Sequence, residues 1–560
     1  MKWIKRESPF LTFQEREQEI FKDFHGARTL SEKYAVKELD TAYELIKKFL
    51  DKPIRIVGDY DVDGQTSTTI MILGLKALGA KDINYYVPKR FSDGYGISEK
   101  IIDVFLIGTP GLLITVDNGI AAIGAVQKAK ALGWTILIMD HHLPVIQKGK
   151  IIFPEADIII NPHAKTGTAN FEDYCAAGLC FKFFQQIHQQ KGIPDNVFDK
   201  IKTFAAIGTV ADSVKLIDKI GDSYSYDNWL IVKDGLNTIL QNTGRTTGLY
   251  CLLRVLGLEY NINEVNIAFT LAPVLNAVSR LNDDGASKVV EFLLREDNNF
   301  SDLDKIALEF KETNERRKTL TNLVIPSIIE EIEAAGMQKD YPLVIKSDNR
   351  FLHPGIVGLV AGKICEAYNT PVILLAKGED GLLHGSCRAP EMCDIKAIMD
   401  NVDIVNDKLA YGGHAQAAGI TMPEEIFDEY RSNIQQKAGD KPDMLKLLRY
   451  DYEIVPEEFK SCLEIQDEKA PYGQGHKKPV YKVSFTTVKD KYNKTYSILG
   501  KDNNILKLHG KKVEAINFSG EGLKKFRELE CPASMTLYGS LEGNTFNGVT
   551  TPQLNFVDME

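Results

Sequence analysis

Cysteine is scarce in this 560-residue chain and is not spaced for a disulfide framework or a zinc site. The eight cysteines include no Cys-x-x-Cys pair, so they predict a reduced protein. No apolar run approaches the length of a membrane span, and Met1–Glu7 lacks the apolar core of a secretion signal. We therefore expect a cytoplasmic protein with no membrane-embedded part.

A surplus of positive charge is also missing. The 67 Lys and Arg residues face 77 Asp and Glu residues, which gives a formal net charge of −10. This balance argues against nucleic-acid binding by the surface as a whole, but it permits a local basic groove. The length predicts several domains, since one hydrophobic core rarely extends over so many residues.

The most informative stretch that is present joins an apolar run, Ile54–Val57, to carboxylates at Asp59, Asp61 and Asp63. Carboxylates crowded at the end of a buried strand repel one another unless a cation lies among them. Magnesium and manganese prefer such oxygen ligands. The alternative is a solvated acidic loop.

Short apolar runs alternate with helical patterns through the first third of the chain. The predicted strands are Ile54–Val57, Ile83–Val87, Leu112–Val116, Thr135–Met139 and Ile158–Ile160, and the predicted helices between them include Thr66–Leu78, Ser98–Leu106 and Ile120–Leu132. This alternation predicts a parallel sheet with helices on both faces. Such sheets bind ligands at the carboxyl ends of their strands.

Further Asp and His residues, which can bind a metal ion, follow two of these strands. Leu112–Val116 ends at Asp117, and Thr135–Met139 ends at Asp140, His141 and His142. Taken singly, Asp117 could cap a helix and His141 could be a structural histidine. Their shared position at strand ends favours one site instead.

Asp212 follows a predicted helix, Val197–Ile207, and a turn of small residues, and it could be only a turn residue. If it folds back to the same crevice, six ligands suffice for two metal ions that share a carboxylate, as in in-line phosphoryl displacement. The candidate ligands are Asp59, Asp61, Asp63, Asp117, His141 and Asp212.

These motifs resemble those of a known superfamily. Asp61–Gly64, Asp117, Asp140–His142 and Gly208–Asp212 are similar to the four motifs of the DHH phosphoesterases, and Pro88–Gly96 resembles a segment of their RecJ branch of single-strand-specific exonucleases. The resemblance implies two Mn²⁺ or Mg²⁺ ions, with His141 as a ligand. It implies that His142 contacts the phosphate or the leaving oxygen and that Asp140 orients the two histidines. Several superfamily members carry a metal-binding histidine at the position of Val57, so whether Asp59 is a direct ligand stays open.

The resemblance also orders the rest of the chain. It implies a catalytic domain over 1–300 with N-terminal helices, a linker helix over 301–336 and a second α/β domain, the DHH-associated domain, over 337–440. Arg90, Ser386 and Arg388 resemble the pocket for a terminal 5′ phosphate. Arg280, His353 and His414 are the further candidate contacts to nucleic acid. For Arg280 the alternative is a surface ion pair, and for the glycine-rich Tyr411–Gly419 segment it is tight packing.

The last part of the chain reads as β-rich after the linker Gly439–Pro442. Five short strands and a helix over 445–560 predict an OB-like β-barrel, a fold suited to single strands. The predicted elements are Val480–Val488, Tyr496–Leu499, Ile505–Leu508, Ala515–Phe518, Met535–Ser540 and the helix Leu523–Leu529. Ten lysines between Lys477 and Lys512, with Tyr481, Phe485, Tyr492 and Tyr496 among them, favour backbone attraction and base stacking. A solvated lysine face is the alternative.

The function that the resemblance implies is metal-dependent 5′→3′ hydrolysis of single-stranded DNA to mononucleotides in repair and recombination. It implies a monomer that works with a helicase and a single-strand-binding protein. Two alternatives stay open, one within the same class of enzymes and one from another class of protein. One is a phosphodiesterase of the same superfamily acting on short oligonucleotides or small molecules. The other is a replication factor that binds single strands but has lost the chemistry.

Overall fold

The computed structural model describes residues 2–22, 24, 38–147, 149–164, 172–378, 380–404, 409–439, 441, 447–546 and 549–560. The chain forms two compact units, each built from separate stretches of sequence. The larger unit comprises Glu32–Val214 and Leu230–Met444, and the smaller unit comprises Met1–Ser31, Lys215–Trp229 and Leu445–Glu560. Within the described ranges, no helix is both long enough and apolar enough to cross a bilayer.

A five-stranded sheet forms the centre of the first half of the larger unit. Its strands lie in the order Asp82–Tyr86, Pro53–Val57, Leu112–Val116, Thr135–Met139 and Ile158–Ile160. Every neighbouring pair is parallel. The central strand Leu112–Val116 is buried at all five residues, as expected for a parallel strand covered on both faces. The predicted parallel sheet is therefore confirmed.

The helices of this half extend further than the sequence predicts at two places that matter for the site. They run Glu38–Lys47, Val62–Ala77, Glu99–Phe105, Ile123–Ala131, Ala176–Lys191, Asp195–Ala211, Asp227–Leu240, Thr247–Leu256, Glu264–Asn266, the π-helical turn Ile267–Leu271, Ala272–Leu281 and Gly285–Leu294. The predicted start at Thr66 is wrong, because Asp61 caps a helix that begins at Val62. The predicted turn at 208–211 is also wrong. Its small residues belong to the helix, where Gly208 allows close packing against Ala177.

A 35-residue helix, Phe300–Ala334, lies between the two halves of the larger unit along the sequence, over nearly the same residues as the expected linker helix. The second half is a five-stranded mixed sheet in the order Leu343–Ser347, Val372–Lys377, Leu382–Arg388, Ala417–Pro423 and Ala410–Gly413. Its helices are Val357–Tyr368, Ile395–Asp400 and Phe427–Ala438.

The smaller unit contains a seven-stranded sheet around one apolar core. The strand order is Tyr452–Ile454, Tyr481–Thr486, Ser534–Phe546, Val549–Met559, Glu514–Asn517, Ile505–His509 and Tyr496–Leu499. All five predicted strands are present, and Tyr452–Ile454 and Val549–Met559 are additions. The sheet and its helices agree with the predicted OB-like fold, and in the described residues the two end strands do not pair with each other. Its helices are Phe13–Ile20, Phe459–Lys469 and Gly520–Glu528.

The N-terminal segment belongs to this smaller unit. Strand Lys2–Lys5 pairs in parallel with Leu447–Tyr450, and Phe13 packs in the same core as Tyr452 and Tyr481. The sequence instead groups the N-terminal helices with the catalytic domain. Two residues of the predicted linker, Asp440 and Pro442, lie outside the described residues.

Candidate metal centre and phosphate pocket

The first three candidate ligands lie where the strand Pro53–Val57 passes into a helix. Asp59 follows the strand, Asp61 is the helix N-cap, and Asp63 lies in the first helical turn. The Asp61 carboxylate accepts a hydrogen bond of 3.1 Å from the Gly64 amide. A Cβ at Gly64 would lie only 2.4 Å from the Asp59 carbonyl oxygen, so this tight turn requires glycine.

Asp117 leaves the neighbouring strand in an unusual backbone conformation. Its φ of 63° lies in the left-handed region, which Asp tolerates better than most residues. The next residue, Asn118, donates its side-chain amide to the carbonyls of Val57, Gly58 and Val116. Asn118 thus fixes the two strand ends to each other, which holds Asp117 beside the Asp59–Asp63 turn.

The structure brings all six predicted ligands together. Three groups have ligand atoms within 4.8 Å of one another: Asp59, Asp61 and Asp117; Asp63, His141 and Asp212; and Asp117, His141 and His142. The His141 Nε2 atom lies 3.1 Å from Asp117 Oδ1 and 3.8 Å from Asp63 Oδ2, and its Nδ1 atom lies 3.8 Å from Asp212 Oδ2. His142 therefore also lies among the candidate ligands, a position that the sequence did not assign to it.

The electrostatics of this cluster call for a cation. Burial and then the charge of Asp61 raise the pKa of Asp59 to about 8. Burial and then the charge of Asp63 raise the pKa values of Asp117 and Asp212 well above their ordinary range. The Oδ1 atoms of Asp59 and Asp117 are buried and accept no hydrogen bond within the described part of the chain. Crowded carboxylates with imidazoles among them suit Mn²⁺ or Mg²⁺, so the residues present fit the predicted ions.

Asp140 differs from the other carboxylates because its hydrogen bonds are made within the protein. It accepts hydrogen bonds from the amides of Ile120 and His142 and lies 2.8 Å from His142 Nδ1. These bonds outweigh burial and lower the pKa of Asp140. Burial alone would lower the pKa of His142, but its contact with Asp140 raises it to about 9. This geometry supports an orienting role for Asp140.

A second cluster, of arginines, lines a cavity of about 390 Å³ in the larger unit. Arg90, Arg280, Ser386 and Arg388 all lie in its wall. Arg388 Nη1 donates to the Ser386 hydroxyl at 2.7 Å, and Arg280 donates to the Gly355 carbonyl at 3.3 Å. The Arg90 guanidinium lies 4.2 Å from the centre of the Tyr60 ring, and its buried Nη1 has no hydrogen-bond partner among the described residues.

The charge of this pocket is not balanced by protein carboxylates. Searched over the described residues, none of the three guanidinium groups has a carboxylate oxygen within 4.0 Å. Burial and then the charge of Arg90 lower the pKa of Arg280 to about 9. Arg280 is therefore an enclosed, unpaired cation rather than a member of a surface ion pair. An anionic ligand would relieve the repulsion within the pocket.

Two predicted contacts, His353 and His414, do not line this pocket. The Nδ1 atom of His353 accepts a hydrogen bond from the Gly355 amide at 3.1 Å. Burial and then the charges of His142 and His163 lower the pKa of His414. The six predicted phosphate-binding residues thus divide between the pocket and its surroundings.

Sequence reasoning missed Tyr60 and Tyr95. The Arg90 guanidinium lies over the Tyr60 ring. The Tyr95 hydroxyl lies beside His142 and donates a hydrogen bond of 3.0 Å to the Asp117 carbonyl. Neither is acidic or basic, so neither stands out in a search for ligands. The signal was the flanking pair Gly94 and Gly96, both with positive φ, since paired glycines around a tyrosine mark a shaped loop.

Fewer lysines and aromatic rings of the lysine-rich segment are available to a nucleic acid than its composition suggests. Lys478, Lys482 and Lys507 each pair with a glutamate. Tyr481 and Phe485 are buried in the core and cannot stack on bases, whereas Tyr492 is 69% exposed. The expectation of several stacking aromatics in this segment is therefore wrong for these two rings.

Comparisons with known proteins agree with this architecture. The DHH family N-terminal domain matches residues 53–209, the DHHA1 domain matches 341–440 and the RecJ OB domain matches 450–558. The single-stranded-DNA-specific exonuclease RecJ of Salmonella typhimurium is 30% identical over 469 residues, 79% of this chain and 77% of that protein. The protein of the same name from Haemophilus influenzae is 28% identical over 543 residues, 93% of this chain and 89% of that protein.

A solved structure shows the same fold over nearly the whole chain. The crystal structure of RecJ from Thermus thermophilus in complex with Mn²⁺ has a TM-score of 0.76 and 24% sequence identity, and the match covers 98% of this chain and 78% of that one. The motifs, the two domains of the larger unit and the C-terminal domain all match in one order along the sequence. This chain belongs to the RecJ family.

Proposed function

We propose that this protein is a metal-dependent exonuclease that hydrolyses single-stranded DNA from its 5′ end and releases mononucleotides. One observation supports this most directly. In the part of the larger unit that the structure describes, the acidic cluster holds buried carboxylates that repel one another, and the arginine pocket holds guanidinium groups without carboxylate partners. A nucleic-acid end bound with divalent ions would balance the charges of both. Its relatives' name, single-stranded-DNA-specific exonuclease, agrees with this pairing.

In this proposal Asp59, Asp61 and Asp117 hold one ion, and Asp63, His141 and Asp212 hold the other. The Thermus relative contains Mn²⁺, which agrees with this set of ligands. When bound, such ions supply Lewis acidity and neutralise charge on the scissile phosphate.

The protein's own groups would position the reacting linkage. Asp140 holds the His142 ring through Nδ1, so the remaining nitrogen can contact the phosphate or donate to the leaving oxygen. The Tyr95 hydroxyl lies 3.1 Å from His142 Nε2 and limits how that ring can turn. Both contacts keep His142 beside Asp117, where the scissile linkage would lie.

The arginine pocket would determine polarity. A terminal phosphate carries more charge than an internal one, and a guanidinium group grips phosphate oxygens through paired N–H donors. Arg90, Arg280 and Arg388, with the Ser386 hydroxyl, supply donors for that group. We propose that they hold the 5′ phosphate while the adjacent linkage lies at the metal cluster.

The test is a time course on a 5′-labelled single strand with Mn²⁺, with and without a chelator. We expect the label to appear at once as a mononucleotide, and no product when the metal is removed. A ladder of progressively shortened labelled strands would mean the opposite polarity and would contradict the proposal. If product appeared only with very short strands, and long strands were left uncut, the result would favour a phosphodiesterase that acts on small substrates.

A pair of variants connects this test to the cluster. Asp212→Ala should lower the rate more than about 100-fold, because loss of a direct ligand should exceed the cost of losing an outer-sphere contact. Asp51→Ala removes an exposed carboxylate that pairs with Lys81, and it should leave the rate unchanged. Wild-type turnover by a folded Asp212→Ala protein would contradict the assignment of Asp212 as a metal ligand.

We also propose the class of upstream partner. An enzyme restricted to single strands needs another activity to unwind duplex DNA, so a helicase should supply its substrate. A single-strand-binding protein would then compete for, or present, the exposed strand. We expect the chain to act as a monomer, since the proposed site is formed by one copy.

A further inference from the structure

We propose that Gln65 is a positioning residue that couples the metal cluster to the arginine pocket. Gln65 belongs to neither group of residues, but it holds the backbone of Tyr60, whose ring lines the pocket. The chain neighbours of Tyr60 are the candidate ligands Asp59 and Asp61. The inference rests on the proposed function, since it takes the cluster to bind metal and the pocket to bind a 5′ phosphate. It gives a role to an uncharged residue that the mechanism does not otherwise use.

The side-chain amide of Gln65 is buried, and one contact fixes its orientation. Gln65 lies in the helix Val62–Ala77, and its Nε2 donates a hydrogen bond of 2.9 Å to the Tyr60 carbonyl. The opposite orientation of the amide would place two acceptor oxygens against each other. The Gln65 Oε1 atom is buried and has no hydrogen-bond partner among the described residues. A buried acceptor without a donor is a cost to folding, so stability alone does not account for a glutamine at this position.

The Gln65 contact completes a turn that two further bonds already hold. The Gln65 amide N–H donates to the Asp61 carbonyl at 2.8 Å, and the Gly64 amide donates to the Asp61 carboxylate at 3.1 Å. With Asp61 held by these two bonds and Tyr60 held by the Gln65 side chain, the backbone between the first two candidate ligands has little freedom. The turn therefore presents Asp59 and Asp61 in a fixed arrangement, which lowers the cost of ordering them around an ion.

The Tyr60 ring extends the effect of the turn to both sites. The Arg90 guanidinium lies 4.2 Å from the ring centre, and the Tyr95 ring lies edge to face at 6.2 Å. The Tyr95 hydroxyl in turn donates to the Asp117 carbonyl and lies 3.1 Å from His142 Nε2. A shift of the Tyr60 backbone would therefore move the support of Arg90 and the support of Tyr95 together.

The competing explanation is that Gln65 only stabilises the start of its helix. Thr69 provides the comparison, because it lies one turn further along the same helix, is equally buried, and donates from Oγ1 to the Gln65 carbonyl at 2.8 Å. The Thr69 bond stays within the helix, whereas the Gln65 side chain bonds to the turn outside it. Loss of either bond would loosen the helix, but only loss of the Gln65 amide should change both sites.

The experiment measures the two sites separately and without turnover. Mn²⁺ binding is titrated by calorimetry with no nucleic acid present. Preference for a 5′ phosphate is measured in a chelator, by competition between short single strands that differ only in a 5′-phosphate or 5′-hydroxyl end. The variants are Gln65→Met, which keeps the length of the side chain without an amide, and Gln65→Asn, which keeps the amide on a shorter side chain. Thr69→Val is the matched control, and thermal unfolding in chelator checks that each variant is folded.

We expect Gln65→Met to bind Mn²⁺ about 10-fold more weakly, the lower end of the range for loss of a group that orients metal ligands. Its preference for a 5′ phosphate should fall about 3-fold, the size of one disturbed contact between an arginine and an aromatic ring. Gln65→Asn should show both losses, because its amide is too short to reach the Tyr60 carbonyl. The unfolding temperature of Gln65→Met should stay close to that of wild type, since the substitution removes the unsatisfied Oε1 together with the donor. Thr69→Val should match wild type in both binding measurements.

Unchanged Mn²⁺ affinity and unchanged preference in a folded Gln65→Met protein would overturn the role of Gln65. A loss at one site alone would overturn the coupling, since Gln65 would then position only that site. Equal losses in Thr69→Val would also overturn it, because a loosened helix would be the cause. If wild type itself binds no Mn²⁺ or shows no preference for a 5′ phosphate, the proposed function fails first, and the role of Gln65 fails with it.

Discussion

Neutralising one buried carboxylate should make the metal-free protein more stable and the enzyme inactive. The substitution is Asp117→Asn. The Asp117 carboxylate is buried, and its Oδ1 accepts no hydrogen bond within the described residues. Burial, and then the charges of Asp63, Asp61, Asp59 and Asp212, raise its pKa. The asparagine is nearly isosteric, so it removes the charge without leaving a cavity.

The magnitude follows from the cost of leaving a buried polar group unsatisfied, which is about 1–3 kcal/mol and more for a charge. We expect Asp117→Asn to recover at least about 1 kcal/mol of unfolding free energy without metal. In a unit of this size that is a rise of about 2 °C in Tm. With Mn²⁺ the order reverses, because binding to the folded state at about 1,000 times its Kd stabilises wild type by about 4 kcal/mol.

The matched control, Asp140→Asn, should change the unfolding free energy in the opposite direction. Asp140→Asn changes a carboxylate of equal burial in the same site, but this one accepts hydrogen bonds from the Ile120 and His142 amides. Replacing one acceptor oxygen by an amide NH2 group leaves a buried N–H donor without an acceptor, so Asp140→Asn should lose about 1–3 kcal/mol without metal. One substitution of the same chemical type should therefore stabilise, and the other should destabilise.

The assay is calorimetric unfolding of both variants and wild type, in chelator and in Mn²⁺, across pH. For an acid whose pKa is raised by folding, stability falls as pH rises from the unfolded to the folded value. The metal-free wild type should therefore lose stability from pH 3.8 toward about 8, the window set by Asp59. A lower metal-free Tm for Asp117→Asn, with a Mn²⁺-induced shift equal to wild type, would refute the reasoning.

Three further predictions test other parts of the chain. Arg388→Ala should lose most of any preference for 5′-phosphorylated over 5′-hydroxyl strands in competition, and a preference kept at full strength would place the pocket elsewhere. Gly355→Ala places a Cβ 1.8 Å from the Arg280 carbonyl oxygen and should cost about 1–3 kcal/mol in denaturant titration, whereas Gly412→Ala faces open space and should cost nothing. Glu17→Gln should destabilise the smaller unit by about 3 kcal/mol at pH 7, because Glu17 lies buried 3.0 Å from His476. Burial would raise the pKa of Glu17, but His476 and Arg16 lower it, so this stabilisation should fade as pH falls below 4.5, and an equal loss at pH 4 and pH 7 would contradict the pairing.

The sequence predicted the central sheet well because fully buried parallel strands have a simple pattern. Leu112–Val116 and Thr135–Met139 have the predicted bounds, since every residue is apolar or small and the run ends at an Asp. Helix starts were harder to place. Asp61 can be read as a loop carboxylate or as an N-cap, and only its hydrogen bond from the Gly64 amide distinguishes the two.

Long-range features could not be predicted from local pattern. Strand Lys2–Lys5 has four residues and no distinctive period, and its partner Leu447–Tyr450 lies at the other end of the chain. The carboxylates of the site were predictable because ionisable groups at strand ends are conspicuous. The support that Tyr60 gives to Arg90 was not, because a stacked ring depends on the path of a separate loop.

The composition of the smaller unit from three separate stretches has a consequence for synthesis. Its first strand and the Phe13 helix are synthesised more than 400 residues before the strands that complete their core. At translation rates of about 5–20 residues per second, that interval is roughly 20–90 s. During this time the edge of Lys2–Lys5 and the apolar face around Phe13 have no final partner. The nascent chain therefore carries an incomplete smaller unit until the stretch from Leu445 onward has been made, and a chain terminated before that stretch would keep the surface exposed.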